Sequence, residues 1–125
     1  MSISSNSIDP AAVAAVATVT QAIALTTAQK AEVCKILRTV LAKHTMAEPP
    51  LQVWVFGSRA TGRARPFSDL DLLITEPPSL SWRERADLRD AFEASDLPFR
   101  VDVVEASLLA EGMALRVMGE RLVLL

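Results

Sequence analysis

Two aspartates, Asp69 and Asp71, are separated by a single leucine in the stretch "SDLDLLI". Residues two apart in a β-strand point to the same face of a sheet, so these carboxylates would project together. Two carboxylates that close repel each other, and burial adds to the cost of charging them. Protonation, a basic partner or a hard cation such as Mg²⁺ would relieve the repulsion. On this stretch alone, a solvated strand end explains the pair equally well.

A third carboxylate, Asp102, lies between Val101 and Val103 in an otherwise apolar stretch. An acid in the middle of a buried strand is seldom left without a partner. If this strand neighbours the one with the paired aspartates, the three carboxylates could hold two divalent ions. These ions would clamp the attacking and leaving oxygens of a phosphoryl-type displacement. Asp102 could also take the proton from an attacking hydroxyl. The alternative is an ion pair between Asp102 and Arg100 or another nearby arginine.

A glycine-serine turn, Gly57-Ser58, directly follows the apolar stretch "LQVWVF". Glycine lets the backbone approach a ligand closely, and a short helix opening at Ser58 would direct free amides at a phosphate. Gly57 and Gly62 also have the spacing of a P-loop. However, Arg63 and Ala64 stand where that motif requires lysine and a hydroxyl residue, which argues against a P-loop.

The composition limits the classes of protein to which the chain can belong. Its 125 residues suit one domain; half are apolar and 22% are charged, which is typical of a globular fold. The net charge of -2 gives no reason to expect strong general nucleic-acid binding, although Arg59, Arg63 and Arg65 could form a local basic patch. The single cysteine, Cys34, excludes an internal disulfide and a cysteine-based zinc site.

The patterning predicts a small mixed α/β (α+β) domain at residues 26–125. Capping boxes begin helices at Thr26 and Ser81, and a further helix is predicted at 108–118. Strands are predicted at 51–56, 69–74 and 99–105, and residues 121–125 are predicted to be an extended tail. The order of helix, strand, strand, helix, strand and helix predicts a small mixed sheet with helices covering one face.

Residues 1–25 are predicted to be an N-terminal extension with a helical pattern in its second half. Its residues 10–25 are uncharged, and their apolar side chains surround the helix, so they need cover. A homodimer or partner contact and packing on the chain's own domain both fit. No positive start precedes this stretch and polar residues interrupt it, so neither a secretory signal nor a membrane helix is predicted. We therefore expect a cytoplasmic protein.

The order Gly57-Ser58, ten residues, Asp69-Leu70-Asp71 and a later Asp102 resembles the signature of the minimal nucleotidyltransferases. These proteins belong to the DNA polymerase β-like nucleotidyltransferase superfamily. The intervening stretch "RATGRARPFS" is typical of its small prokaryotic members. The resemblance extends from Thr26 to the last residue and implies the polymerase β-like nucleotidyltransferase fold.

The resemblance implies a role for each motif. Gly57 and Ser58 would hold the triphosphate of ATP, and Arg59 and Arg65 are further candidates for phosphate contacts because arginine suits phosphate. The reaction would transfer AMP from ATP to an acceptor hydroxyl and release pyrophosphate. No base-reading motif is visible in the sequence.

The same resemblance assigns the carboxylates. Asp69 and Asp71 would bind two Mg²⁺ ions, and Asp102 would share one ion and help to deprotonate the acceptor.

The acceptor is expected to lie on a partner protein, since the sequence shows no acceptor-binding module. Small relatives are often paired with a HEPN-type ribonuclease toxin, which the nucleotidyltransferase adenylylates as its antitoxin. Two alternatives stay open. One is an aminoglycoside-type adenylyltransferase with a pocket completed by dimerisation, and the other is an antitoxin that only binds its partner.

Overall fold

The computed structural model describes residues 22–125, so most of the predicted N-terminal extension lies outside the described residues. The first helix, α1, spans Thr27–Val40. The Thr26 hydroxyl accepts a hydrogen bond from the Gln29 amide, and the Gln29 side chain accepts one from the Thr26 amide. The predicted capping box is therefore confirmed. Cys34 is buried on the inner side of α1, as a small packed apolar residue, and burial raises the pKa of its thiol.

The remaining elements of the described chain alternate between strands and short helices. In order they are α2 (Ala42–Thr45), β1 (Gln52–Phe56), α3 (Ser58–Thr61), β2 (Leu70–Glu76), α4 (Trp82–Glu93), β3 (Val101–Glu105), a 3₁₀ turn (Ala106–Leu108), α5 (Glu111–Glu120) and β4 (Leu122–Val123). The capping box at the start of α4 is also confirmed. None of the helices within residues 22–125 is both long enough and apolar enough to cross a membrane.

The four strands form one mixed sheet in the order β3-β2-β1-β4. Strand β1 is antiparallel to both β2 and β4, whereas β2 and β3 are parallel. The parallel pair is connected through α4, as a parallel connection requires a crossover. The predicted extended tail pairs with β1 through Leu122 and Val123, which adds an edge strand to the sheet.

The two faces of the sheet are covered by different helices. On one face, alternate residues of β1 and β2 form the main core with α1 and α4, among them Val53, Val55, Leu72 and Ile74. On the other face, Val117 of α5 packs against Phe56 and Leu73. The mixed α/β class is thus confirmed, and α5 adds cover on a second face where the sequence predicted helices on one face only. Leu72, which follows Asp71, and Val103, which follows Asp102, both face the main core. Since successive residues of a strand point to opposite faces, Asp71 and Asp102 lie on the second face.

An ion pair with a buried carboxylate fixes α4 against the end of β3. The side chain of Glu105 is nearly inaccessible, and it accepts hydrogen bonds from Arg85 Nε at 2.6 Å and from the Leu80 amide at 2.7 Å. The hydrogen bond from Arg85 holds the pKa of Glu105 below its ordinary value, although burial opposes this. These contacts hold the end of β3 against α4, the helix that precedes it in the chain.

Candidate functional site

Asp71 and Asp102 lie directly opposite each other on the parallel strands β2 and β3. Register partners on adjacent strands project to the same face, so the two carboxylates are neighbours there. Asp69 lies one residue before β2, because the strand begins at Leu70 and not at Asp69 as predicted. The fold therefore brings all three predicted acids to one end of one face.

The carboxylates act on one another electrostatically. The pKa of Asp71 is raised to about 6, first because the side chain is partly desolvated and then because Asp102, Asp69 and Glu120 are nearby negative charges. Arg116 opposes this shift. A raised pKa of this origin is typical of a partly desolvated carboxylate that lies among like charges.

Arg100 partly neutralises the cluster from the solvent side. Its Nη2 lies 3.0 Å from Asp69 Oδ2, and its Nε lies 3.7 Å from Asp102 Oδ1. The ion pair between Asp102 and Arg100 that the sequence left as an alternative is therefore present. The Asp69 and Asp102 side chains are 43% and 46% exposed, so Asp102 is less buried than its apolar neighbours suggest. Exposure of this extent leaves both carboxylates open to a cation from solvent.

Gly57 lies next to Asp71 at the end of β1, where it meets the face that carries the acids. Its φ of 74° belongs to the region that favours glycine. A Cβ at this position would also collide with the Asp71 carboxylate. Ser58 is the first residue of the single-turn helix α3. Glycine is therefore required here for both backbone conformation and space, and it places the turn beside the carboxylates.

Glu120, the last residue of α5, is a functional candidate that the sequence analysis missed. Its Oε2 accepts a hydrogen bond from the Gly57 amide at 2.6 Å, and its side chain is 19% exposed. A carboxylate therefore contacts the turn at which the sequence predicts phosphate. No sequence signal distinguishes Glu120 from other acids near helix ends, since Gly57 is 63 residues away.

We expect Glu120→Gln to strengthen nucleotide binding. Glutamine can still accept the hydrogen bond from the Gly57 amide, but it removes a negative charge that repels a triphosphate. The affinity for Mg²⁺-ATP should rise about five-fold, which corresponds to roughly 1 kcal/mol of relieved repulsion. Titration calorimetry measures this, with Glu111→Gln at the exposed start of the same helix as the control. Equal or weaker binding by Glu120→Gln would show that Glu120 does not oppose the nucleotide.

Arg59 does not face the carboxylates. Its side chain is 4% exposed and its guanidinium lies 4.0 Å from the centre of the Phe99 ring. The hydrogen bonds that its side chain makes within residues 22–125 go to backbone carbonyl groups. This placement argues against the phosphate contact predicted for Arg59. Arg65 is exposed in the loop before β2, and its phosphate contact stays a prediction.

The residues present fit Mg²⁺ by donor chemistry. Carboxylate oxygens are the ligands that Mg²⁺ prefers, and the mutual repulsion around Asp71 would be relieved by a cation. Nevertheless, no group of three His, Cys, Asp or Glu side chains within residues 22–125 is arranged closely enough to hold a metal ion. A cation would compete with Arg100 for the oxygens of Asp69 and Asp102 that this arginine contacts. Metal binding by Asp69, Asp71 and Asp102 therefore stays a prediction that requires these side chains to rearrange.

The sequence of this chain matches known proteins. The sequence profile of the nucleotidyltransferase domain family matches residues 33–123. The chain is also 40% identical over 82 residues to a Haemophilus influenzae protein described as a probable protein adenylyltransferase, MntA. That match covers 66% of this chain and 69% of the relative.

Two solved structures share the fold. A minimal nucleotidyltransferase is 34% identical and superposes with a TM-score of 0.54, covering 76% of this chain and 88% of that one. A toxin-antitoxin complex with AMP-PNP contains a chain that is 23% identical and superposes with a TM-score of 0.58. This match covers 77% of the present chain and 72% of the other, and at this identity it supports the fold alone.

Proposed function

Since this chain belongs to the nucleotidyltransferase family, we propose that it transfers AMP from ATP to a hydroxyl group of a partner protein. The observation that carries the proposal is the adjacency of Asp71 and Asp102 on β2 and β3, beside the glycine turn that ends β1. Carboxylates next to a turn that admits close approach of phosphate are the parts that nucleotidyl transfer needs.

Each residue then has a defined task. Gly57 and Ser58 hold the triphosphate, with Arg65 as an additional candidate contact. Asp102 accepts the proton of the acceptor hydroxyl, whose oxygen forms a bond to the α-phosphorus as the bond to the pyrophosphate oxygen breaks. Bound Mg²⁺, held by Asp69, Asp71 and Asp102 as two ions, would offset the charge that develops on the phosphate oxygens.

We further propose that the acceptor is a HEPN-type toxin and that this chain is its antitoxin in the cytoplasm. The description of the Haemophilus influenzae relative as a protein adenylyltransferase supports a protein acceptor. The fold neighbour solved as a toxin-antitoxin complex with AMP-PNP is consistent with such a pairing. On this view the toxin supplies the acceptor hydroxyl.

The decisive experiment uses ATP labelled either at the α-phosphate or at the γ-phosphate. The purified chain is incubated with each nucleotide and Mg²⁺, alone, with the product of the adjacent gene, or with aminoglycosides. We expect the partner protein to acquire the α-label and not the γ-label, because AMP and not phosphate is transferred. Chelation of Mg²⁺ should stop the transfer.

Two variants control this assay. Asp69→Asn should abolish labelling, whereas Asp87→Asn on the exposed side of α4 should label at the wild-type rate. Label on an aminoglycoside would replace the protein acceptor with a small molecule. Binding of ATP without transfer in any arm would contradict the enzymatic proposal and favour an antitoxin that only binds its partner.

A further inference from the structure

Arg59 is the most enclosed charged side chain near the site. Its Nη1 donates to the Ala24 carbonyl at 2.6 Å, and its Nε donates to the Ser68 carbonyl at 3.0 Å. Its Nη2 donates to the carbonyls of Pro66 at 3.1 Å and Arg65 at 3.4 Å. The arginine fork is thereby committed to four backbone carbonyls, and burial lowers its pKa.

These contacts join the three segments that carry the candidate site. Arg59 itself follows Ser58 within α3, next to the glycine turn. The carbonyls of residues 65–68 belong to the loop that leads directly into Asp69 and β2. Phe99, on which the guanidinium stacks, comes just before β3, the strand that carries Asp102.

Among the described residues, the loop 65–68 is held by its own hydrogen bonds and by those from Arg59. The Arg65 amide donates to the Ser68 hydroxyl at 2.8 Å, and the Ser68 amide donates to the Arg65 carbonyl at 3.0 Å. Pro66 and Phe67 are exposed, and Phe67 is 75% exposed. The loop therefore depends on Arg59 for its position relative to the turn.

We infer that Arg59 is a positioning residue, which sets the distances among the phosphate turn, Asp69 and Asp102 without touching the nucleotide. The inference rests on the proposed transferase function. A group behind the metal ligands that fixes their orientation affects metal affinity and turnover, whereas a phosphate ligand affects nucleotide affinity. The two roles are therefore separable by kinetics.

Arg59→Lys is the informative variant, because lysine retains the charge but cannot form the fork to four carbonyls. We expect the hydrogen-bonded amides of Arg65 and Ser68 to exchange hydrogen at least about ten-fold faster in the nucleotide-free protein. The Mg²⁺ concentration for half-maximal transfer should rise about ten-fold, and kcat should fall by about ten- to a hundred-fold. The KM for ATP should change by less than about two-fold.

The matched control is Arg83→Lys, since Arg83 also lies over an aromatic ring, that of Trp82 at 5.3 Å, but at the exposed start of α4. It should leave hydrogen exchange in the loop and the Mg²⁺ dependence unchanged. If the wild-type protein shows no transfer, the proposed function is wrong. The hydrogen-exchange result tests the role of Arg59 independently of activity.

Two outcomes would overturn the inference. A raised KM for ATP with unchanged kcat and Mg²⁺ dependence would indicate that Arg59 contacts the triphosphate. A lower melting temperature with wild-type kinetics per folded molecule would leave it a purely structural role. If Arg59→Lys does not fold, Phe99→Leu removes the ring beneath the guanidinium and keeps its hydrogen bonds. This second variant should show the same pattern with a smaller amplitude, and an unchanged Mg²⁺ dependence in it would equally contradict the inference.

Discussion

Asp71→Asn is expected to abolish nucleotidyl transfer while leaving the metal-free protein as stable as wild type or more stable. Asparagine keeps the shape of the side chain but removes one negative charge from a cluster that already contains Asp69, Asp102 and Glu120. The loss of activity would follow from the loss of a carboxylate that we propose binds Mg²⁺, and the gain in stability from relieved repulsion.

The pKa of Asp71 determines how the stability difference between Asp71→Asn and wild type changes with pH. The pKa of Asp71 rises from 3.8 in the unfolded chain to about 6 in the folded protein, so folding favours the protonated carboxyl. The contribution of Asp71 to stability is therefore greatest below about pH 4, falls as the pH rises from about 4 to about 6, and stays reduced above that range. After allowance for solvent screening, the penalty removed by Asp71→Asn at pH 7 is on the order of 1–2 kcal/mol.

Denaturant titration at pH 4 and pH 7 in the presence of a chelator measures this. The advantage of Asp71→Asn over wild type should be present at pH 7 and small at pH 4. Asp87→Asn, which lies outside the cluster, should show no such difference between the two pH values. Marked destabilisation by Asp71→Asn at both pH values would mean that the Asp71 carboxylate has a structural role instead.

Ser58→Ala is expected to weaken binding of Mg²⁺-ATP by roughly ten-fold or more, because a hydrogen bond to a charged group contributes about 1.5–3 kcal/mol. Ser58 is half-buried at the start of α3, next to Gly57. Alanine preserves the helix turn, so the melting temperature should change little. The effect therefore belongs to nucleotide binding and not to folding.

Titration calorimetry without acceptor measures the affinity of Ser58→Ala for Mg²⁺-ATP, and its melting temperature reports its stability separately. Ser79→Ala, in the exposed loop before α4, is the control and should bind as the wild type does. Unchanged affinity in Ser58→Ala would remove the hydroxyl from the phosphate site and leave only the backbone of the turn.

The local elements of the fold follow from the sequence because their determinants are close together in the chain. Thr26 and Gln29, like Ser81 and Glu84, reach each other across one helical turn, so the capping boxes could be predicted from spacing alone. Alternation with a period of two likewise indicated that Asp69 and Asp71 face the same way. Strand boundaries differ from those predicted by only one or two residues, as at Leu70.

The candidate site followed partly from the sequence and partly from the tertiary structure. The sequence marked Asp102 as an acid that needs a partner, but it left open whether that partner is a metal ion or Arg100. The parallel register of β2 and β3, which pairs Asp71 with Asp102, depends on how α4 packs. That packing is fixed in part by the ion pair between Arg85 and the buried Glu105. Such pairing involves contacts far apart in the chain, which local pattern does not encode.

The arginines and Glu120 show what the tertiary structure alone decided. Arg59 and Arg65 are the same residue type in the same stretch, yet one is buried against Phe99 and the other is exposed. Glu120 reaches the Gly57 amide only because α5 crosses the second face of the sheet. The sequence thus determined the helix caps, the strand periodicity and the family signature, since these depend on neighbours a few residues apart. The fold decided which charges meet, because burial and contact between distant segments arise only when the chain is packed.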